Sequence, residues 1–452
     1  MVKTAGIMID ARVDRIQQPD TLRFSQLVAG QKHVCQSVAC CEDFFSFGRA
    51  ESPFPVPDDI RVEISGKSCP GTLADPAGLP ELREAVSGFY ARNYNITADA
   101  DRIIIGHGVK GLVLPIFTIL AGSVIVPSPG WLGYLPQLRI LNKPYYRLYG
   151  HYAAQYKIRP TQLAAMLKGL VKSQHLLILN NPGYPTGNLY TEKDLKEIAA
   201  ICRESNTLIL ANEAYSLLTY DLSKFVSMGS IYPEGTFVLN GLSMDRSAGG
   251  LRIGTCILPE GSDQALKDEL IKVLATVYTA AVTPVQQAAI PAYLPNPAMD
   301  AYLHDTREIH RIMTTRLAAR CAAIEGVRTI IPEGGFSFMV DLNVMIAEIR
   351  AAGIQYSNDL APAMIQHPYH IATVTGEAMM AGYDDFYIRF SATDYDGTAA
   401  LESYRSVPPK TPSDEEAFFM RHGARMAAGI EMFSRWVSDV RSGSFKFEKS
   451  AE

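Results

Sequence analysis

Six short apolar runs, each closed by glycine, proline or a small polar residue, limit what this chain can become. They lie within "RIIIGHG", "SVIVPSP", "HLLILNNP", "TLILANEAY", "TFVLNGLS" and "IGTCIL". Runs without polar alternation read as strands buried on both faces, which requires helices above and below the sheet. The segments between them supply those helices. "GLPELREAVSGFYARNY" spaces its apolar residues as a helix does, with Pro80 suited to the first turn. "VKGLVLPIFTIL" follows the first run, and "TEKDLKEIAAICRES" opens at Thr191 with Asp194 three residues on. The alternation predicts an α/β fold with a mostly parallel central sheet.

Beyond residue 262 the pattern changes. Long helical stretches, "DQALKDELIKVLATVYTA" and "DAYLHDTREIHRIMTTRLAARCAAIEGV", lead to "GGFSFMVDLN" and "FYIRFSA". These predict a bridging helix and a smaller α+β domain. The expected division is an N-terminal arm with part of the small domain at 1–60, a large domain at 61–290, and the bridging helix with the C-terminal small domain at 291–452. A chain of 452 residues accommodates one large and one smaller core. Ser413 and Glu416 in "SVPPKTPSDEEAFF" read as the capping box of the last helix.

A net charge of −5 gives no reason to expect a nucleic-acid partner or an anionic membrane surface. No stretch approaches the roughly 18 apolar residues of a membrane helix. The seven cysteines lack the paired short spacings of a zinc site, and adjacent Cys40 and Cys41 read as buried thiols in a reducing, cytoplasmic setting. His367 and His370 are separated by Pro368 with no acidic partner in view, so no metal site is expected.

In such sheets ligands sit beyond the carboxyl ends of the strands, so the residues just after each run carry the chemistry. Gly106, His107, Gly108, Val109 and Lys110 open a helix whose backbone N–H groups suit a phosphate. "PSPGWLGY" places Trp131 where an indole can cover a flat ring, and "NNPGYPTGN" is a turn stiffened by Pro182 and Pro185. Asn212, Glu213 and Tyr215 follow the fourth run, and Ser243 and Met244 the fifth.

In this order the segments resemble the class I/II aminotransferases, the fold-type-I enzymes dependent on pyridoxal phosphate (PLP). The likeness runs from "ESPFPVP" to "IRFSA" through "GLPELREAV", "PSPGW", "NNPGYPTG", "NEAY", "GLRIG" and "GGFSFMVDL". The resemblance implies the fold-type-I architecture and a homodimer. It implies that Trp131 stacks on the cofactor ring and that Tyr215 bonds its phenolic oxygen. Gly108, Val109, Ser243 and Arg252 would form the phosphate site. Arg389 would grip a substrate carboxylate, with Gly48 beside it.

Three positions depart from the family pattern. Met244 stands at the Schiff-base lysine, Asn212 at the aspartate facing the pyridine nitrogen, and Tyr184 at an asparagine that donates to the phenolic oxygen. Less securely, Leu73 replaces a tyrosine that would reach the neighbouring subunit. A thioether neither forms an imine nor carries a proton, and losing a positioned general base costs about 10²–10⁴ in rate. A neutral amide gives little bias toward pyridinium.

The expectation from these replacements is an aminotransferase-fold enzyme outside ordinary transamination. It would act on an amino-acid-derived or other carboxylate-bearing small molecule, with no cofactor. Tyr184, Tyr215 and His107 are its acid–base candidates, and Arg389, Trp131, Asn212, Met244 and Gly48 its substrate contacts. Two alternatives stay open: PLP or pyridoxamine phosphate held non-covalently, and a catalytically silent binding or partner protein.

Overall fold

The computed structural model describes residues 44–66 and 73–447, together with scattered residues before 44. Cys35, Cys40, Cys41 and Cys69 lie outside the described residues. The dominant element is a seven-stranded sheet. Its strands are β1 (Ile103–His107), β2 (Val124–Ser128), β3 (Tyr145–Tyr149), β4 (His175–Asn180), β5 (Thr207–Asn212), β6 (Thr236–Gly241) and β7 (Ile253–Ile257). Their spatial order is β1-β7-β6-β5-β4-β2-β3. Every pairing is parallel except those of β7, which runs antiparallel to both β1 and β6. The six apolar runs of the sequence are all strands here, and β3 is the one strand they do not include. Its side chains are mostly partly exposed or exposed, as an edge strand tolerates.

Helices cover the sheet: α1 (Pro80–Tyr94), α2 (Gly108–Ile119), α3 (Tyr134–Ile140), α4 (Glu192–Glu204) and α5 (Gln264–Tyr278) among them. The capping box read at Thr191 forms, with Asp194 N–H donating to the Thr191 hydroxyl and the Asp194 carboxylate accepting from Thr191 N–H. One apolar cluster on the sheet holds Ile104, Leu112, Ile116, Val126, Ile178, Leu210, Phe237 and Leu239, all buried. Another holds Ile125, Leu177, Leu179, Ile198 and Ile209. Successive strand residues therefore fill opposite faces, as continuous apolar runs require.

The long helix α6 (Pro297–Ala322) packs against the last helix, α7 (Pro412–Ser442). The box capping α7 is Thr411 with Asp414, not Ser413 with Glu416. Pro412 takes the first helical position, where its missing N–H costs nothing, so the cap falls one residue before it. A four-stranded antiparallel sheet comprises β8 (Arg328–Thr329), β9 (Ser337–Asp341), β10 (Val374–Thr375) and β11 (Tyr387–Ser391), in the order β8-β9-β11-β10. Phe45–Ser46 pairs with Ile371–Ala372 beside it, which brings the chain around Gly48 to this sheet. Among the described residues no helix is long and apolar enough to cross a membrane, and no cluster of three or more potential ligands could hold a metal.

Candidate active site

The reversed direction of β7 builds the first half of the site. Parallel strands β2, β4, β5 and β6 deliver their last residues to one edge of the sheet. Because β7 runs the other way, its first residues come to that same edge, with Ile253 opposite His107. Arg252, immediately before it, therefore reaches the start of α2. Its guanidinium donates to the carbonyls of Gly249 (2.9 Å) and His107 (3.3 Å).

Arg252 itself has φ of 56°, in a left-handed region that costs an ordinary side chain about 1–2 kcal/mol. A Cβ at Gly108 would stand 2.3 Å from Nη2 of Arg252, and one at Gly254 would stand 2.6 Å from the nitrogen of Val109. Glycine at both places allows the guanidinium, the helix start and the strand to converge. The N-terminus of α2 has no side-chain cap, so its first N–H groups point outward beside Arg252. Ser243 lies in the adjoining turn, its side chain within reach of a Cβ at Gly249. Backbone N–H groups at a helix start beside a guanidinium are donors of the kind a phosphate group takes.

From the cradle the site continues through contacts. Lys110 Nζ lies 5.6 Å from the centre of the Trp131 ring. Trp131 meets Tyr134 edge to face at 4.9 Å. The buried Tyr134 hydroxyl accepts from Nδ2 of Asn212 and donates to Oδ1 of Asn180, both at 2.8 Å. Three residues beyond Asn212, Tyr215 packs on Phe336 and stacks on Tyr184 at 6.4 Å between ring centres. Arg389, on β11 and fully buried, donates to the Tyr184 hydroxyl and to the carbonyl of Gly48. Its guanidinium carbon also lies 5.7 Å from the Tyr184 ring.

The structure therefore brings together Gly108, Val109, Ser243 and Arg252 at one end. Tyr215, Tyr184, Arg389 and Gly48 meet at the other, with Trp131 and Asn212 tied to the middle through Tyr134. Met244 is half-buried in the turn after Ser243. His107 stands differently: its Nε2 is bonded to the Ala280 carbonyl at 3.2 Å and its ring lies on Tyr278 at 4.2 Å. Those contacts tie it to the end of α5.

Lys110 and Tyr134 were given no role from the sequence. A lysine two residues after Gly108 and an aromatic three residues after Trp131 were the available signals. Glu213, beside Asn212, is wholly buried, and burial raises its carboxyl to about 8. Ser227 and the N–H of Met228 bond it, which anchors the loop from beneath.

Residues 66–397 match the family described as aminotransferase class I and II. The aspartate aminotransferase of Bacillus subtilis is 30% identical over 308 residues, covering 66% of this chain and 75% of the relative. An asparagine–oxo-acid transaminase of Streptococcus mutans is 27% identical over 311 residues, covering 66% of this chain and 75% of the relative. Among solved structures, aspartate aminotransferase of Thermus thermophilus with maleate superposes with a TM-score of 0.76 at 21% identity, covering 95% of this chain and all (100%) of that one.

The names of these relatives overturn three expectations. Enzymes named for transamination contradict a chain placed outside ordinary transamination, a site with no cofactor, and a description of the protein as PLP-independent for want of a catalytic lysine. The physical reason is one of weighting. Met244, Asn212 and Tyr184 are three side chains, whereas Arg252 at the start of α2, Trp131 and the buried Arg389 are placed by the whole strand order and remain assembled. With most of its length matched and its fold shared, this chain belongs to the aminotransferase class I and II family.

Proposed function

We propose that this protein is an aminotransferase of the PLP-dependent kind, exchanging amino and oxo groups on carboxylate-bearing small molecules. The observation that carries the reading is the convergence of Arg252 with the uncapped start of α2 across Gly108. That donor set fits the phosphate of a pyridoxal-type cofactor, and Trp131 and Tyr215 are the residues that would cover its ring and bond its phenolic oxygen. When bound, such a group supplies an electron-withdrawing ring that stabilises negative charge at the carbon losing its proton.

The chain's own residues would act around it. Arg252, with the N–H groups of Gly108 and Val109, binds the dianion. Arg389, buried against the Tyr184 hydroxyl and the Gly48 carbonyl, would have to exchange the Tyr184 contact to pair with a substrate α-carboxylate, a strong and directional pairing. The Lys110 ammonium and the Tyr184 and Tyr215 hydroxyls are side chains that can hold or pass a proton. Met244 can do neither. It stands where the resemblance expects the tethering amine, so on this reading non-covalent contacts hold the cofactor.

The substrate class is an α-amino acid with its 2-oxo acid partner. A homodimer accords with the reading, since Leu73 is apolar and 81% exposed in the single chain. A cytoplasmic setting accords with the free, buried thiols of Cys202, Cys256 and Cys321.

The test is equilibrium dialysis of the purified chain against PLP, followed by an assay of oxo-acid formation from a panel of amino acids. Borohydride reduction and peptide mapping then report any lysine-linked product. Retained cofactor with amino-donor-dependent oxo-acid formation is expected. Absence of both retention and product would sink the proposal.

A further inference from the structure

The turn between β10 and β11 clasps the loop that carries Trp131. Gly376–Met379 forms a tight helical turn, closed by Met380 in the left-handed region at a φ of 59°. On its own side the turn is tied by Nδ2 of Asn358, which donates to the Glu377 carboxylate at 2.9 Å. On the other side two bonds cross to the end of β2. The N–H of Gly130 donates to the Met379 carbonyl and the Ser128 hydroxyl to the Met380 carbonyl, both at 2.8 Å. Ser128 is buried, where leaving that carbonyl unpaired is costly.

The two methionine side chains go to different places. Met379 is fully buried with Tyr156 and Met339. Met380 joins the apolar cluster against which Trp131 packs, and a Cβ at Gly130 would stand 2.4 Å from its methyl carbon. The methyl therefore lies on the residue just before Trp131. A helix end in the left-handed region ordinarily takes glycine, which bears no steric cost there. Methionine in its place gives the turn a side chain to set against Gly130. The indole in turn lies on Gly133, where a Cβ would stand 2.3 Å from its ring. Its direction then depends on where residues 128–130 are held.

Resting on the reading of this cleft as a PLP site, we propose that Ser128 and Met380 are positioning residues, which fix the loop before Trp131 to the small sheet and so set the face its indole turns to a flat ring. Val374, two residues before the turn, pairs with Arg389 on β11. One small sheet therefore places both the guanidinium and the indole. The clasp keeps the two in a fixed relation across the cleft.

Trp131 and Trp436 are the two tryptophans of the chain, and Trp436 is fully buried in α7. The experiment reads tryptophan emission and acrylamide quenching of full-length Ser128→Ala and Met380→Ala chains without cofactor. Trp131→Phe versions of each chain give the Trp436 signal to subtract. Equilibrium dialysis then gives the PLP dissociation constant of each variant. The expected result is a red-shifted, more readily quenched Trp131 beside an unchanged Trp436. PLP should bind about tenfold more weakly, the scale of one lost buried hydrogen bond. A Trp131 that responds no more than Trp436 overturns the inference and leaves the proposed function standing. So does a loosened Trp131 with PLP affinity unchanged. If Met380→Ala does not fold, Ser128→Ala decides. If the unaltered chain retains no PLP, the proposed function falls, and the fluorescence decides the clasp by itself.

Discussion

The Tyr184 hydroxyl accepts a hydrogen bond from Arg389, a guanidinium with no exposed surface. A guanidinium only donates, so the phenol's own proton points away from it. Tyr184 thus joins Arg389 to the Tyr215 side of the cleft. Tyr184→Phe keeps the stacking on Tyr215 but takes one acceptor from a buried cation. The expected outcome is a loss of stability of about 1–3 kcal/mol in urea unfolding. The Michaelis constant for amino donors is expected to change more than the PLP dissociation constant, as steady-state kinetics and dialysis would show.

Gly108 and Arg252 form the second pair with a clear consequence. Gly108→Ala places a methyl group where Nη2 of Arg252 stands, at a φ of 69° that an alanine adopts at a cost on the order of 1–2 kcal/mol. Arg252→Gln leaves the backbone alone and removes only the cation. Both variants are expected to weaken PLP binding at least about tenfold, the loss of roughly 1.4 kcal/mol. Inorganic phosphate should compete with PLP in the unaltered chain and much less in Arg252→Gln.

Next to Met244 lies a buried ion pair, Asp245 with Arg246, at 2.8 Å and with both side chains at most 1% exposed. Arg246 also donates to the Ala292 carbonyl and lies 5.0 Å from Phe89 and 5.3 Å from Tyr293. Removing one partner strands the other charge in an apolar setting. Arg246→Ala is expected to destabilise by about 3–5 kcal/mol. Replacing both partners with apolar residues of similar volume should cost much less. Denaturant unfolding of the two single variants and the double variant checks this.

Glu213 makes stability depend on pH. Its folded carboxyl titrates at about 8, raised by burial, against an ordinary value of 4.5. Below the ordinary value the folded and unfolded chains are both protonated, and the full contribution is present. As pH rises toward the folded value only the unfolded chain ionises, and stability falls by up to about 1.4 kcal/mol per pH unit. Glu213→Gln should flatten that decline. Melting temperatures measured from pH about 5 to about 8, through the window this linkage sets, would show a slope for the unaltered chain and a smaller one for the variant.

The sequence by itself determined the local elements and the kind of residue that stands after each strand. Runs such as "HLLILNN" can satisfy their backbone only in a sheet covered on both faces, so β4 and its neighbours were legible from one-dimensional pattern alone. The glycines at 106 and 108, Trp131 and Tyr215 were legible as loop or strand-end residues for the same reason, whereas Arg389, in the middle of β11, was marked only by the family resemblance. Tertiary structure decided which of them meet.

The antiparallel insertion of β7 between β1 and β6 carries Arg252 to the head of α2, a pairing set by strand order and not by local composition. Tyr134 became visible only when α3 and β5 packed together, and the turn of His107 toward Ala280 and Tyr278 came from packing against the end of α5. Side-chain replacements are read one position at a time, whereas a binding cleft is the sum of contacts between distant segments. That is why three altered residues seemed to close a site that the fold keeps assembled.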